Sequence, residues 1–167
     1  PSVFDVESDV VWYDGSELDV SVNSATIYVG EDWEVLSGSD VQMNQGYLEF
    51  DSTKISVILI DSPNNSFHNI RVDKENAYVG QGNYAGVSAA SDFDMNVTGN
   101  IYVYTDAFFR YFSPNALNLS GIISNQGGTT EFYFGTLVYD GNSHTINPGA
   151  DDFFSSIEIA CSQNETL

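Results

Sequence analysis

Apolar and polar residues alternate with a period of two over short stretches along most of the chain. Examples are LDVSV at 18–22, ATIYV at 25–29, YLEF at 47–50, ISVILI at 55–60, IYVYT at 101–105, TEFYF at 130–134 and TLVYD at 136–140. Successive side chains of a strand point to opposite faces, so this period predicts strands with one face to bury and one to solvate. Between the stretches lie turn formers: Asp14-Gly15, Ser37-Gly38-Ser39, Ser62-Pro63-Asn64-Asn65, Gln126-Gly127-Gly128, Asp140-Gly141-Asn142 and Asn147-Pro148-Gly149. Each supplies a left-handed or proline-fixed backbone that ends a strand. Apolar residues at helical spacing are almost absent, and the expected fold is all-β.

The strands also resemble one another. LDVSVNSATIYV at 18–29 matches FDMNVTGNIYV at 93–103, LSG at 36–38 matches LSG at 119–121, and GYLEFD at 46–51 matches GTLVYD at 135–140. SFHNIRV at 66–72 likewise matches FFSSIEI at 153–159. Four matches in one order suggest two tandem units. The division expected is an N-terminal strand region 1–17, unit one 18–73, a Gly/Ala-rich connection 74–92, unit two 93–160 and a tail 161–167. A single such unit leaves its apolar end open, and a second copy stacked on it extends one core, so a β-solenoid-like stack is expected. Two duplicated halves packed face to face, as in a β-sandwich or jelly roll, are the alternative. In either case Phe67, Ile70, Val72, Phe154, Ile157 and Ile159 are core positions.

Composition narrows the partners. The 167 residues carry 24 Asp and Glu against 4 Lys and Arg, a net charge of -20. Four dispersed cations, Lys54, Arg71, Lys74 and Arg110, cannot neutralise a phosphate backbone, which argues against nucleic acid and an anionic membrane surface. The 10 Tyr, 11 Phe and 2 Trp argue against a disordered acidic tail, so the charge belongs on a folded surface. No apolar run reaches the roughly 20 residues of a membrane-spanning helix. With Cys161 as the only cysteine, no disulfide forms within the chain. The opening PSVFDVESDV lacks the basic end and apolar centre of a signal peptide. Either such a segment was removed ahead of it or the chain is cytosolic. Four glycosylation sequons, at Asn64, Asn96, Asn118 and Asn164, favour the exterior.

Some of these blocks resemble a known pattern. Gly30-Glu31-Asp32-Trp33, Gly46-Tyr47-Leu48-Glu49-Phe50 and Phe67-His68-Asn69-Ile70-Arg71-Val72 form one series. Gly135-Thr136-Leu137-Val138-Tyr139, His144-Thr145-Ile146 and Phe154-Ser155-Ser156-Ile157-Glu158-Ile159 form another, without the Trp and without Asn after Phe. Together they resemble tandem β-solenoid-type repeats of secreted and cell-surface structural or adhesin proteins of bacteria and archaea. The resemblance implies a parallel solenoid and no catalytic residues.

Candidate chemistry is sparse. A nucleophilic triad needs a positioned histidine, and His68 and His144 stand in polar or turn-adjacent places. There is no Gly-x-Ser-x-Gly elbow, phosphate loop or His-Glu-x-x-His, so a non-catalytic chain is expected. One cysteine and two distant histidines argue against zinc. Calcium is the one cofactor the pattern admits, because oxygen ligands could converge at Glu31-Asp32, Asp92/Asp94 or Asp151-Asp152. Asp151 and Asp152 are the chosen pair, since they follow the Pro148-Gly149 turn with its free carbonyls. In AFFRYF at 107–112, Phe109 and Tyr111 share one strand face while Phe108, Arg110 and Phe112 share the other.

The function expected is a non-catalytic extracellular structural subunit or adhesin module. It would self-assemble into a surface layer, sheath or filament through β edges or ends, with copies of itself or other surface proteins as partners. The alternative is a carbohydrate-binding module that meets glycans through exposed Trp12, Tyr13, Trp33 or Tyr47.

Overall fold

The computed structural model describes residues 2–21, 24–73, 85–140, 146–147 and 153–160. They contain strands and turns and no helix, and every ladder between strands is parallel. The first coil is β1 (Ser2–Val6), β2 (Val10–Trp12) and β3 (Glu17–Asp19), and the second β4 (Ala25–Val29), β5 (Trp33–Val35) and β6 (Asp40–Gln42). The third is β7 (Tyr47–Phe50), β8 (Ser56–Ile60) and β9 (Asn65–Ser66), and the fourth β10 (Asn69–Val72), β11 (Ala85–Ser91) and β12 (Met95–Val97). There follow β13 (Ile101–Tyr104), β14 (Ala107–Tyr111), β15 (Leu117–Leu119), β16 (Ile123–Gln126), β17 (Thr129–Phe132) and β18 (Leu137–Tyr139). Last come β19 (Ile146–Asn147), β20 (Phe153–Phe154) and β21 (Ile157–Ile159).

Every third strand pairs with the next. Face one is the seven-stranded sheet from β1 through β4 to β19, and face two the seven-stranded sheet from β2 through β5 to β20. Face three is a three-stranded sheet, β3-β6-β9, continued by the four-stranded sheet β12-β15-β18-β21. A parallel bridge between Phe67 and Val97 joins them. The fold is thus a three-faced parallel β-solenoid, seven strands deep on each face among the described residues. Partners in most coils stand 21 to 23 residues apart, and 31 across the coil that holds β11.

Like stacks on like inside this coil. On face one, Ile27, Leu48, Ile70, Ile101 and Ile123 form one inward row, and Val29, Phe50, Val72 and Val103 the next. Face three contributes Val41, Met95, Leu117 and Leu137, and face two Trp33, Ile58, Ala89, Tyr111 and Phe132, all fully buried. In-register pairing brings each branched side chain against its counterpart about 4.8 Å away, which is why period two suffices to build a continuous core.

The corners are held by side chains that satisfy backbone groups. Buried Asn69 donates through Nδ2 to the Gly46 carbonyl at 3.0 Å, and its Oδ1 accepts from the Asn100 amide at 2.9 Å. Asn100 repeats the move one coil on, accepting from the Ile122 amide at 2.9 Å. Between faces two and three, Ser62 donates to the Ser39 carbonyl at 2.7 Å and Ser113 to the Ser91 carbonyl at 2.6 Å. Gly46 turns the corner at φ 94, and a Cβ there would strike the Ala25 carbonyl.

Several sequence expectations need correction. Of the four block matches, only the first keeps its face, since Ile27-Tyr28-Val29 and Ile101-Tyr102-Val103 share the rows of face one. Leu36 follows face two whereas Leu119 lies on face three. Leu48 and Ile70 belong to face one, whereas Leu137 and Ile157 belong to face three. The structure repeats by the coil, and strands on all three faces look alike because each alternates in the same way. Within the supposed connection 74–92, Ala85–Ser91 form β11, paired to β8 and β14. Phe67, Ile70 and Val72 are fully buried and Phe154 is half-buried, but Ile157 and Ile159 are 42% and 49% exposed on β21, which pairs on one side with β18.

Candidate functional site

Of the candidate carboxylates, Glu31, Asp32 and Asp94 bond to neighbouring coils. Asp32 Oδ1 accepts from the Val57 amide at 2.7 Å, and the Asp32 amide donates to Asp9 Oδ1 at 3.1 Å. Glu31 pairs with Lys54 across one coil, and Asp94 Oδ1 accepts from the Ala116 amide at 2.9 Å. No group of three or more His, Cys, Asp or Glu is placed to hold a metal among the described residues. Asp151, Asp152, Asn164, His144 and Cys161 lie outside the described residues. His68 stands at the corner after face three, its Nδ1 3.2 Å from the Thr98 hydroxyl.

Three sequons can be placed. Asn96 donates through Nδ2 to the Asn65 carbonyl at 3.1 Å, and Asn118 through Nδ2 to Asn96 Oδ1 at 2.9 Å. Both are half-buried on face three, their amide nitrogens committed to a ladder along the stack. Asn64 is exposed in the turn between β8 and β9.

The aromatic residues divide among three places. Trp33 is fully buried, which corrects its expected role on a sugar-binding surface. Its ring lies 5.7 Å from that of Trp12, and both line a cavity of about 250 Å³ at the open side of the first coil with Phe4, Val6, Val10 and Leu18. Tyr13 is exposed in a turn and Tyr47 is half-buried on face one, so the four aromatics form no common platform.

On face two, Phe109 and Tyr111 are buried inward, which settles which face of AFFRYF joins the core. Phe108 points outward but is only 3% exposed, with the Arg110 guanidinium 4.1 Å from its ring centroid. Arg110 also pairs with Glu131 on the neighbouring strand. Beside them Phe112, Tyr133, Phe134 and Phe153 are exposed and touch one another. Ring centroids lie 5.0 Å apart for Phe112–Tyr133 and Phe112–Phe134, and 5.9 Å for Tyr133–Phe153. Contiguous exposed aromatics on a monomer mark a place of contact.

The outward side of face one carries a second cluster. Tyr28, Glu49, Arg71 and Tyr102 occupy one row in register across four coils. The Arg71 guanidinium sits 3.8 Å from the Tyr47 ring centroid and 5.9 Å from that of Tyr102, with Nη1 3.2 Å from Glu49 Oε2. Burial raises the Glu49 pKa, and the bond from Arg71 offsets only part of that rise. Phe112, on the Phe108–Arg110 face of AFFRYF, and Tyr47 are candidates from the sequence, but the other members of the two clusters are not legible there. The signal was present as aromatic residues in the outward phase of strands one coil apart, which becomes visible only once the coil length is known.

The chain matches no protein-family model, no curated protein and no solved structure. Among the described residues, no helix is long and apolar enough to cross a membrane. The geometry defines a parallel β-solenoid with half-buried and exposed aromatic surfaces on two faces.

Proposed function

We propose that the chain is a non-catalytic structural or adhesive module of an extracellular assembly, joined to copies of itself through the sides and edges of its coil. The observation that carries this reading is the cluster of Phe112, Tyr133, Phe134 and Phe153, exposed on a protein of net charge -20. Like-charged subunits repel one another, but at physiological ionic strength that repulsion is screened beyond about 8 Å. Short-range contact between uncharged aromatic patches then decides association.

Particle size by light scattering in low salt, in high salt and with added calcium tests the proposal. Growth is expected in high salt or calcium, and reversal to monomer in the Phe112→Ser, Phe134→Ser double variant. A monomer under all three conditions at high protein concentration overturns it.

A further inference from the structure

We propose that the outward surface of face one binds a linear, uncharged polysaccharide laid along the coil axis. This stands independently of the self-association above, which uses face two. The observation is the row Tyr28, Glu49, Arg71 and Tyr102, with Tyr47 and Tyr104 on either side of it. In-register strands repeat about every 4.8 Å, so the row presents groups at a fixed interval in a straight line. That geometry suits a polymer with its own repeat better than a compact ligand.

The chemistry of the row suits sugar. Tyrosine rings offer flat apolar faces for the C–H side of a pyranose and a hydroxyl at their rim. The Arg71 guanidinium offers a planar set of donors for sugar hydroxyls, while Glu49, buried beneath it, fixes its orientation. These side chains are held in place before any ligand arrives. Arg71 is packed against Tyr47 and bonded to Glu49, and the Tyr102 hydroxyl accepts from Asn100 Nδ2 at 2.7 Å. Preorganised rings and forks lose little freedom on binding.

Charge selects the class of polymer. Arg71 is the one cation among the described residues of this face, and Glu49 offsets it. The chain as a whole carries -20, so a polyuronate or sulfated chain is repelled, whereas an uncharged glycan meets no such barrier.

Affinity electrophoresis of the full chain tests this, in native gels cast with a soluble mixed-linkage β-glucan, galactomannan, xylan or polygalacturonate. Retardation is expected by at least one neutral polymer and not by polygalacturonate. The Tyr28→Ala, Tyr102→Ala double variant should raise the apparent dissociation constant at least tenfold, whereas Tyr28→Phe, Tyr102→Phe should keep most of the retardation. If the alanine variant fails to fold by circular dichroism, Arg71→Lys carries the same expectation of weakening, because it keeps the charge and loses the planar fork. The Phe112→Ser, Phe134→Ser variant should be retarded like the parent chain. The proposal is overturned by retardation in none of the neutral gels, by equal retardation in polygalacturonate, by unchanged binding after the face-one substitutions, or by loss of binding after the face-two ones.

Discussion

Truncating Ile70 and Ile157 to alanine separates the closed middle of the coil from its last described strand. Both residues point inward from parallel strands, and each loses three carbons. Ile70 is fully buried between Leu48 and Ile101 in its row. At about 0.8 kcal/mol per buried carbon the transfer loss alone is about 2.4 kcal/mol. Neighbours fixed by hydrogen-bonded coils on both sides cannot close the hole, which places the total at about 3 to 4 kcal/mol, within the range for such truncations. Ile157 is already 42% exposed, so about half the transfer term is absent and no closed cavity forms, giving about 1 kcal/mol. Urea midpoints at constant m-value measure both changes. A solenoid opens locally, so amide exchange belongs beside them. Ile70→Ala should speed exchange in β7, β10 and β13, and Ile157→Ala only in β18 and β21. A cost of a few tenths for Ile70→Ala refutes the inward row. Equal costs for the two would show that β21 is covered in solution.

Two further outcomes follow from the corners and the core. Asn69→Ala leaves the Gly46 carbonyl and the Asn100 amide without their partner, and thermal unfolding should show a loss of about 2 kcal/mol or more; under 0.5 kcal/mol would mean that water replaces the side chain. Burial pushes the Tyr111 and Tyr139 hydroxyls up to about 12. The unfolded tyrosines ionise first, near pH 10, so stability is complete below that pH and declines between pH 10 and 12, by about 2 to 3 kcal/mol for each residue. Chemical denaturation across that window checks the slope, which Tyr139→Phe should make shallower. A flat profile refutes the burial of both hydroxyls.

Much of the fold could be read from local alternation, because a strand buried on one face leaves the same mark wherever it lies. That is how 25–29 and 101–104 were legible as strands, and why a solenoid-like stack followed from self-similarity. The same uniformity hid the coil length. Leu48 and Leu137 sit in similar strings, GYLEFD and GTLVYD, yet belong to different faces, and nothing local says which face a strand joins. Ser62 reads as an ordinary turn residue and Asn69 as a polar position within a strand, because their partners are a coil away in sequence. For the same reason Tyr28, Glu49, Arg71 and Tyr102 could not be recognised as one surface. Asp32 and Asp94 drew attention as metal ligands, but each spends an oxygen on a backbone amide one coil on.

Stacked parallel strands set their hydrogen bonds along the axis of the coil, and this decides how the protein yields to force. Pulled from its two ends, the chain meets those bonds in series and peels them a few at a time, where strands loaded in shear would resist together. A coil whose partners stand 22 residues apart releases roughly 75 Å of contour at about 3.4 Å per residue. The coil with 31-residue spacing releases roughly 105 Å on the same scale. Loaded this way the molecule lengthens by discrete steps at modest tension, while a sideways load is shared by all three sheets. A tether built from it gives along its length before it breaks.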